Sequence, residues 1–232
     1  MARTTEDLRK DLLAAAEEQL VGSPDGDVST RAVCEAVGVT QPVLYRIFRD
    51  KQGLLDALAE VGLERYALRK AGLEVSADPV RDLLDGWDDH MAFAAENPAL
   101  YRLMFSPRAG VDLAARTGVF ALVRSALQRC AAIGRLGMQV DEAAALILSA
   151  NVGLAFNRMN QPELYGSTAT SHALRDAVFA RVLLAADDGP APSALPVTAR
   201  QLAAQLEHGA GDLVEEEAAL LQLWLRRIAG AA

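Results

Sequence analysis

The sequence has little that would support chemistry at a metal or a thiol. Its 232 residues include two cysteines, Cys34 and Cys130, and three histidines. Each cysteine sits inside a helical pattern, which predicts two buried free thiols rather than a disulfide. His90, His172 and His208 show neither H-x-x-x-H nor H-E-x-x-H spacing, so no metal site is expected. A glycine-rich phosphate loop is also absent, and a cofactor is therefore not expected. Aromatic residues make up 5% of the chain, and runs of β-branched residues are scarce, which argues against a sheet protein. No apolar run is long enough to span a membrane, and the N-terminus leads into charged sequence rather than a signal peptide. The expected setting is the cytoplasm, with no membrane partner.

A net positive charge is missing too. The formal charge is −8, which excludes a general coating of nucleic acid. Residues 1–51 carry seven Lys and Arg against nine Asp and Glu. Any contact with DNA must then depend on where cations sit rather than on how many there are. Arg31, Arg46, Arg49 and Lys51 do fall close together.

Half of the residues, 51%, are hydrophobic, and Ala and Leu dominate. That composition predicts an all-α protein with a substantial core. Leu8, Leu12, Ala15, Ala16 and Leu20 form one helical stripe over about 5–20. Gly22 to Gly26 reads as a loop. Ser29 is a candidate N-cap for a second helix with the stripe Ala32, Val33, Ala36 and Val37. Gly38 suits the left-handed position that closes a helix. Thr40 is then placed to cap a third helix through the N–H of Val43, with Pro42 in the first turn, where a missing N–H costs little. Leu44, Ile47 and Phe48 share its inward face, and Gln41 and Tyr45, four apart, share another. Asp50 can cap a fourth helix whose first turn holds Lys51, an unfavourable place for a cation unless an anion is to be held there.

Two short helices joined by a tight glycine turn, the second opening with polar residues, form a helix-turn-helix arrangement. Gln41 can hydrogen-bond base edges, and Thr40 or the ring of Pro42 can touch a thymine methyl. Tyr45 and Arg46 can reach base or phosphate, Arg31 stands nearby, and Lys51 can clamp a phosphate. Two other classes compete. An enzyme lacks a recognisable catalytic constellation. A helical adaptor would leave the Gln41/Tyr45 face and Lys51 without a purpose.

The stretch S-T-R-A-V-x-x-A-V-G-V-T-x-x-x-L-Y-x-x-F-x-x-K-x-x-L-L over Ser29–Leu55 resembles the TetR family of bacterial transcriptional regulators. Val33, Ala36, Gly38, Val39, Thr40, Leu44, Tyr45, Phe48, Lys51, Leu54 and Leu55 carry the likeness, which covers roughly residues 5–60. Ile47 departs from it where the family often has His, and Cys34 where it favours Ala. The resemblance implies a three-helix DNA-binding domain at 1–50, with Thr40, Gln41, Pro42 and Tyr45 toward DNA and Lys51 on a phosphate. It also implies a helical ligand-binding and dimerisation domain at 51–188. Residues 189–232 are read as a linker and C-terminal helices.

Within that larger domain further helices are expected at Leu54–Leu73, Pro79–Asn97, Ala99–Phe105, Val111–Ile133, Asp141–Met159 and Ser171–Asp187. Phe93–Phe105 also resembles a segment of the ligand domains of one TetR subgroup. A small-molecule inducer, mostly apolar, would lie between the helices at 79–97, 111–133 and 141–159. Trp87, Met91, Met104, Phe105, Phe120 and Phe156 would line it, with His90 and Asn151 as polar anchors. The same residues also read as plain core.

A homodimer is expected because one head makes too few phosphate contacts for a symmetric double-stranded operator. By resemblance its interface would use Ala143, Ile147, Ala150, Leu154, Ala177, Val178 and Val182, with Ala144 and Leu146 beside them; the competing reading is monomer core. Asp187–Pro196 reads as a linker. Beyond it, Thr198–His208 and Asp212–Ala229 read as helices, the second with Asp212 and Glu215 at the spacing of a capping box. The overall expectation is a DNA-binding transcriptional regulator, a repressor released by its ligand.

Overall fold

The protein is described by a computed structural model that covers residues 3–23, 26–106, 114–184, 194–207, 209 and 211–230. Among the described residues the regular structure is helical, α1 to α12. The chain divides into two compact units, with divisions at the end of the helix Lys51–Ala71 and inside the helices Pro79–Glu96 and Ala114–Ala132. Unit 1 is Met1–Ala71 with Ala92–Val119, and unit 2 is Gly72–Met91 with Phe120–Ala232. The unit that holds the N-terminal helices thus reaches well past residue 50.

In unit 1, α1 spans Thr5–Gly22. Thr4 and Asp7 close its N-terminus reciprocally: the Asp7 N–H donates to Thr4 Oγ1 at 3.1 Å and the Thr4 N–H to Asp7 Oδ2 at 3.2 Å. That box holds the Asp7 carboxyl below its ordinary range, chiefly through the Thr4 hydroxyl. Helix α2 is Thr30–Val37, with Ser29 as the expected cap: its hydroxyl accepts from the Ala32 N–H. The expected stripe shifts by one place. Val33 and Cys34 are buried whereas Ala36 is exposed, so the thiol supplies core contact that the stripe had given to Ala36. Gly38 takes φ 73° and ψ 39°, the left-handed close that its sequence position suggested.

Helix α3 is Gln41–Phe48. Thr40 does sit at its N-cap, but the hydroxyl makes no cap bond. The Thr40 carbonyl alone receives the Val43 N–H, at 2.9 Å. Burial of Leu44 at 0% and Phe48 at 5% fixes this helix against the core of unit 1. Helix α4, Lys51–Ala71, follows after two residues. Asp50 caps it as expected, accepting from the Gly53 N–H at 2.7 Å. Helix α6, Pro98–Phe105, packs on α4 and α1. There Tyr66, Phe93, Tyr101 and Phe105 form an aromatic cluster, with ring centroids 4.5 Å apart for Tyr101–Phe105 and 4.9 Å for Tyr66–Phe93.

In unit 2, α8 (Val140–Asn160) packs along α10 (Thr168–Val182), with the short α9 (Pro162–Tyr165) between them in sequence. The tenth helix stops at Val182, five residues short of the expected end, because the chain turns into an antiparallel bridge. Leu183 pairs with Leu136, the Gly137 N–H donates to the Val182 carbonyl at 2.8 Å, and the Leu184 N–H to the Arg135 carbonyl at 3.0 Å. Helix α5 is Pro79–Glu96, α7 is Ala114–Ala132, and α11 and α12 are Ala194–Leu206 and Glu215–Ile228.

The expected linker falls partly on 185–193, outside the described residues, but Pro196 lies in the first turn of α11 rather than in a linker. Helix α12 begins at Glu215, and its capping carboxylate is Glu217, which accepts from the Val214 N–H at 3.1 Å. Asp212 and Glu215 do not form the box. Glu217, the one polar break in that helix's apolar stripe, is there to close its end.

Candidate nucleic-acid interface

Helix α3 has one face in the core and one in solvent. Thr40, Gln41, Pro42, Tyr45, Arg46 and Arg49 are all exposed, while Leu44 and Phe48 are buried. The helical period puts 42, 45 and 46 on the side away from 44 and 48, whereas Gln41 and Arg49 are exposed at the two ends of the helix, as its first residue and its C-cap. An exposed tyrosine beside an exposed proline and glutamine is not what stability requires of a surface. Tyr45 keeps 38% of its accessible area.

Thr30, the first residue of α2, links the two helices. Gln41 Nε2 donates to Thr30 Oγ1 at 3.4 Å, and the Tyr45 hydroxyl lies 3.4 Å from the same oxygen. These are long, exposed contacts that a ligand can replace at little cost. They hold the two side chains of α3 over the start of α2. Thr30 was not among the residues singled out from the sequence. The cap signal falls on Ser29, and no periodicity marks the residue after a cap as a hub.

The cations differ in their surroundings. The Arg31 guanidinium is paired with Glu35 at 2.8 Å, four residues along the same helix. Lys51 Nζ is paired with Asp27 Oδ1 at 2.5 Å, across 24 residues of chain. Among the described residues the side chains of Arg46 and Arg49 have no hydrogen-bond or ion-pair partner, although the Arg49 N–H donates to the Tyr45 carbonyl at 2.8 Å. Arg3, near the N-terminus, donates from both terminal nitrogens to the Val37 carbonyl at 3.2 Å, at the end of α2.

Arg49 holds the junction of α3 and α4. Its φ is 68° and ψ −54°, and the Asp50 N–H donates to the Phe48 carbonyl at 2.9 Å. This is a γ-turn of positive φ, a strained conformation for a residue with a side chain. The turn leads directly into α4, which packs against α3.

The residues expected to form an inducer pocket are divided between the units. Met104 and Phe105 belong to unit 1, Met104 fully buried and Phe105 half-buried in the aromatic cluster. Trp87, His90, Met91, Phe120, Asn151 and Phe156 belong to unit 2. Trp87 is engaged with α10: its indole N–H donates to Ser171 Oγ at 3.1 Å, and its ring meets Phe179 edge-on at 6.1 Å. His90 and Asn151 are buried at 1% and 3%, and Asn151 Oδ1 accepts no hydrogen bond. Phe120 and Phe156 are half-buried. A separate open groove of about 340 Å³ is lined by Ala77, Pro79, Arg129, Ala132, Ile133 and Gln205. None of the expected ligand residues lines that groove.

Of the residues expected at a dimer interface, Ala143, Ile147, Leu154 and Val182 are buried within the chain itself. The chain's own packing surrounds them. Ala150 and Val178 are half-buried, and Ala177 is exposed.

Both cysteines are free and buried, as expected. Burial pushes the Cys130 thiol up to about 12 and raises that of Cys34, which makes each a poor nucleophile. Among the described residues no three metal-binding side chains cluster, and no helix is long and apolar enough to cross a membrane. His208 lies outside the described residues.

Residues 12–58 match the family model described as bacterial regulatory proteins, tetR family. No curated protein matches the chain. Solved structures do. A protein of unknown function from Rhodococcus sp. RHA1 is 26% identical, over 76% of this chain and 96% of that one, with a TM-score of 0.64. A TetR-family transcriptional regulator from Agrobacterium tumefaciens is 18% identical over 78% and 100%, with a TM-score of 0.58. NalD, the secondary repressor of the MexAB-OprM multidrug efflux pump in Pseudomonas aeruginosa, is 19% identical over 80% and 99%, with a TM-score of 0.56. At 18% and 19% identity the last two show a shared fold.

Proposed function

Through residues 12–58 the chain belongs to the TetR family of bacterial regulatory proteins, and on that footing we propose how its residues regulate transcription. Helix α3 enters the major groove of an operator. Gln41 reads a base edge, Thr40 and Pro42 meet thymine methyl groups, and Tyr45 and Arg46 meet base or backbone. Arg31 and Lys51 take flanking phosphates. The observation that carries this reading is the two-sided character of α3, with Leu44 and Phe48 sealed in the core and Gln41 and Tyr45 left in solvent.

The regulator works as a homodimer, since a two-fold operator needs two heads. The exposed faces of α8 and α10 suit that contact better than the residues already buried in the protomer. On α8 these are Ala145, Leu146, Ser149 and Gly153, and on α10 Ala173, Ala177 and Ala180. Small side chains let two helix pairs approach closely.

The protein is a repressor released by a mostly apolar ligand, as the fold it shares with the repressor NalD suggests. Asn151, buried with an unsatisfied carbonyl oxygen, supports a polar anchor in an apolar setting, because such an atom costs stability until something donates to it. The ligand must favour the conformation that does not fit DNA; equal affinity for both would shift nothing.

An electrophoretic mobility shift with the DNA upstream of its own gene tests the reading. Tyr45→Ala and Lys51→Ala should each weaken the shift while helicity and dimer size stay the same. Unchanged affinity in both removes α3 and Lys51 from the interface.

A further inference from the structure

We propose that Asp27 competes with DNA for Lys51: its carboxylate occupies the ammonium that a backbone phosphate takes on binding, and so limits the protein's affinity for duplex. This rests on the DNA-binding reading of α3 and adds to it a residue that sets binding strength from outside the groove-facing helix.

The geometry carries the inference. Lys51 is the first residue of α4, and Asp27 lies in the segment that leads into α2. Their charged atoms are 2.5 Å apart. The Asp27 side chain is 73% exposed and that of Lys51 42%, so the pair stands in water, where a competing anion can reach it. Surface pairs of this kind are worth little in themselves and exchange readily.

An ammonium has three donors and can touch two anions at once. A phosphate arriving at Nζ would then lie beside a carboxylate already in contact with that nitrogen, and the like charges repel. Asp27 is anionic at neutral pH: the hydrogen bond from Lys51, and then its charge, hold the carboxyl below its usual range.

The neighbouring cations show why this pair differs. Arg31 and Glu35 are four apart on one helix, the commonest kind of surface pair. Asp27 comes from a different segment of the chain than Lys51 and anchors the lysine across 24 positions. Its backbone N–H donates to Ser23 Oγ at 3.0 Å, which ties down the backbone from which the carboxylate reaches Lys51. With Arg31 and Lys51 each neutralised internally, Arg46 and Arg49 are left as the cations of this stretch without a carboxylate.

Phosphate contacts do not depend on sequence, so the test needs no operator. A fluorescein-labelled mixed-sequence duplex is titrated, by fluorescence anisotropy over a series of salt concentrations, with the full-length protein. Wild type, Asp27→Asn, Lys51→Ala and the double variant are compared. Asp27→Asn keeps the shape and should tighten binding on the order of threefold to tenfold at low salt. It should also steepen the slope of log K against log salt by about one.

In the Lys51→Ala background the same substitution should change little. Asp27→Ser serves as a second removal of the charge, and thermal melting checks that each variant folds. Equal tightening in both backgrounds, or no tightening in either Asp27 variant while Lys51→Ala weakens binding, overturns the competition. A wild type that holds no duplex even at low salt overturns the DNA-binding reading itself.

Discussion

The hydroxyl of Tyr45 lies 3.4 Å from that of Thr30, and Gln41 donates to the same threonine oxygen. One side chain at the start of α2 therefore sets the directions of two side chains on α3. If both are used on DNA, the threonine matters without touching a base. Thr30→Val and Tyr45→Phe should each weaken binding by about twofold to tenfold, the worth of a single hydrogen bond. Because they remove the same contact, the double variant should lose less than the product of the two, as a double-mutant cycle in anisotropy would show. Strict additivity would mean that the threonine does not orient the tyrosine.

Arg49 combines strain with a free positive charge. Its positive φ costs roughly 1–3 kcal/mol for a residue with a Cβ, and glycine bears it at less cost. Arg49→Gly should therefore hold or raise the melting temperature. It should also lower the salt slope of DNA binding by about one if the guanidinium meets a phosphate. A variant that both melts earlier and binds with an unchanged slope would show that the turn is unstrained and the charge idle.

Gly53 approaches the end of α3 closely. A Cβ built there would stand 2.0 Å from the Phe48 carbonyl oxygen, a contact that backbone cannot absorb without shifting the junction. Gly53→Ala should destabilise the N-terminal unit by about 1–3 kcal/mol. Urea denaturation followed by circular dichroism reads this directly, and DNA affinity should fall with it because Lys51 moves too.

In unit 2, Asp82 is the largely buried carboxylate to which Arg129 and Ser76 donate. Burial alone would raise its pKa, but the Ser76 and Arg129 bonds outweigh that and hold it below the ordinary value of 3.8. A carboxyl depressed in the folded state adds stability above its unfolded pKa and loses it as pH falls through the folded value. The stabilisation should be complete at neutral pH and fade below about pH 4. Asp82→Asn should lower stability at pH 7 by roughly 1–2 kcal/mol and flatten the acid limb of the melting-temperature profile. A parallel profile would show that the cluster does not hold the ionised form.

The N-terminal helices were legible because each is marked twice, by an apolar period and by an end signal. Ser29, Gly38 and Asp50 all act where their types suggested. Thr40 did not, because Pro42 leaves few free N–H groups in the first turn and the carbonyl meets the Val43 N–H instead. The other failures have a common cause: tertiary contacts leave no local pattern. Val182 ends α10 because the chain pairs with Leu136, a segment 46 residues earlier by their numbering.

Ala143 and Val182 look alike in sequence whether they face a partner or the core, and within the single chain both are buried. Thr30 and Asp27 were invisible as site residues. The first acts through side chains 11 and 15 residues away, and the second through one 24 away.

The measurement that bears most directly on α3 is selection of bound sequences from a pool of randomised duplexes. The wild type should enrich a two-fold symmetric motif, and Gln41→Ala should relax one base pair in each half of it while the rest stands. A pool that shows no enrichment, or a motif that Gln41→Ala leaves unchanged at every position, would contradict the placement of α3 in the major groove.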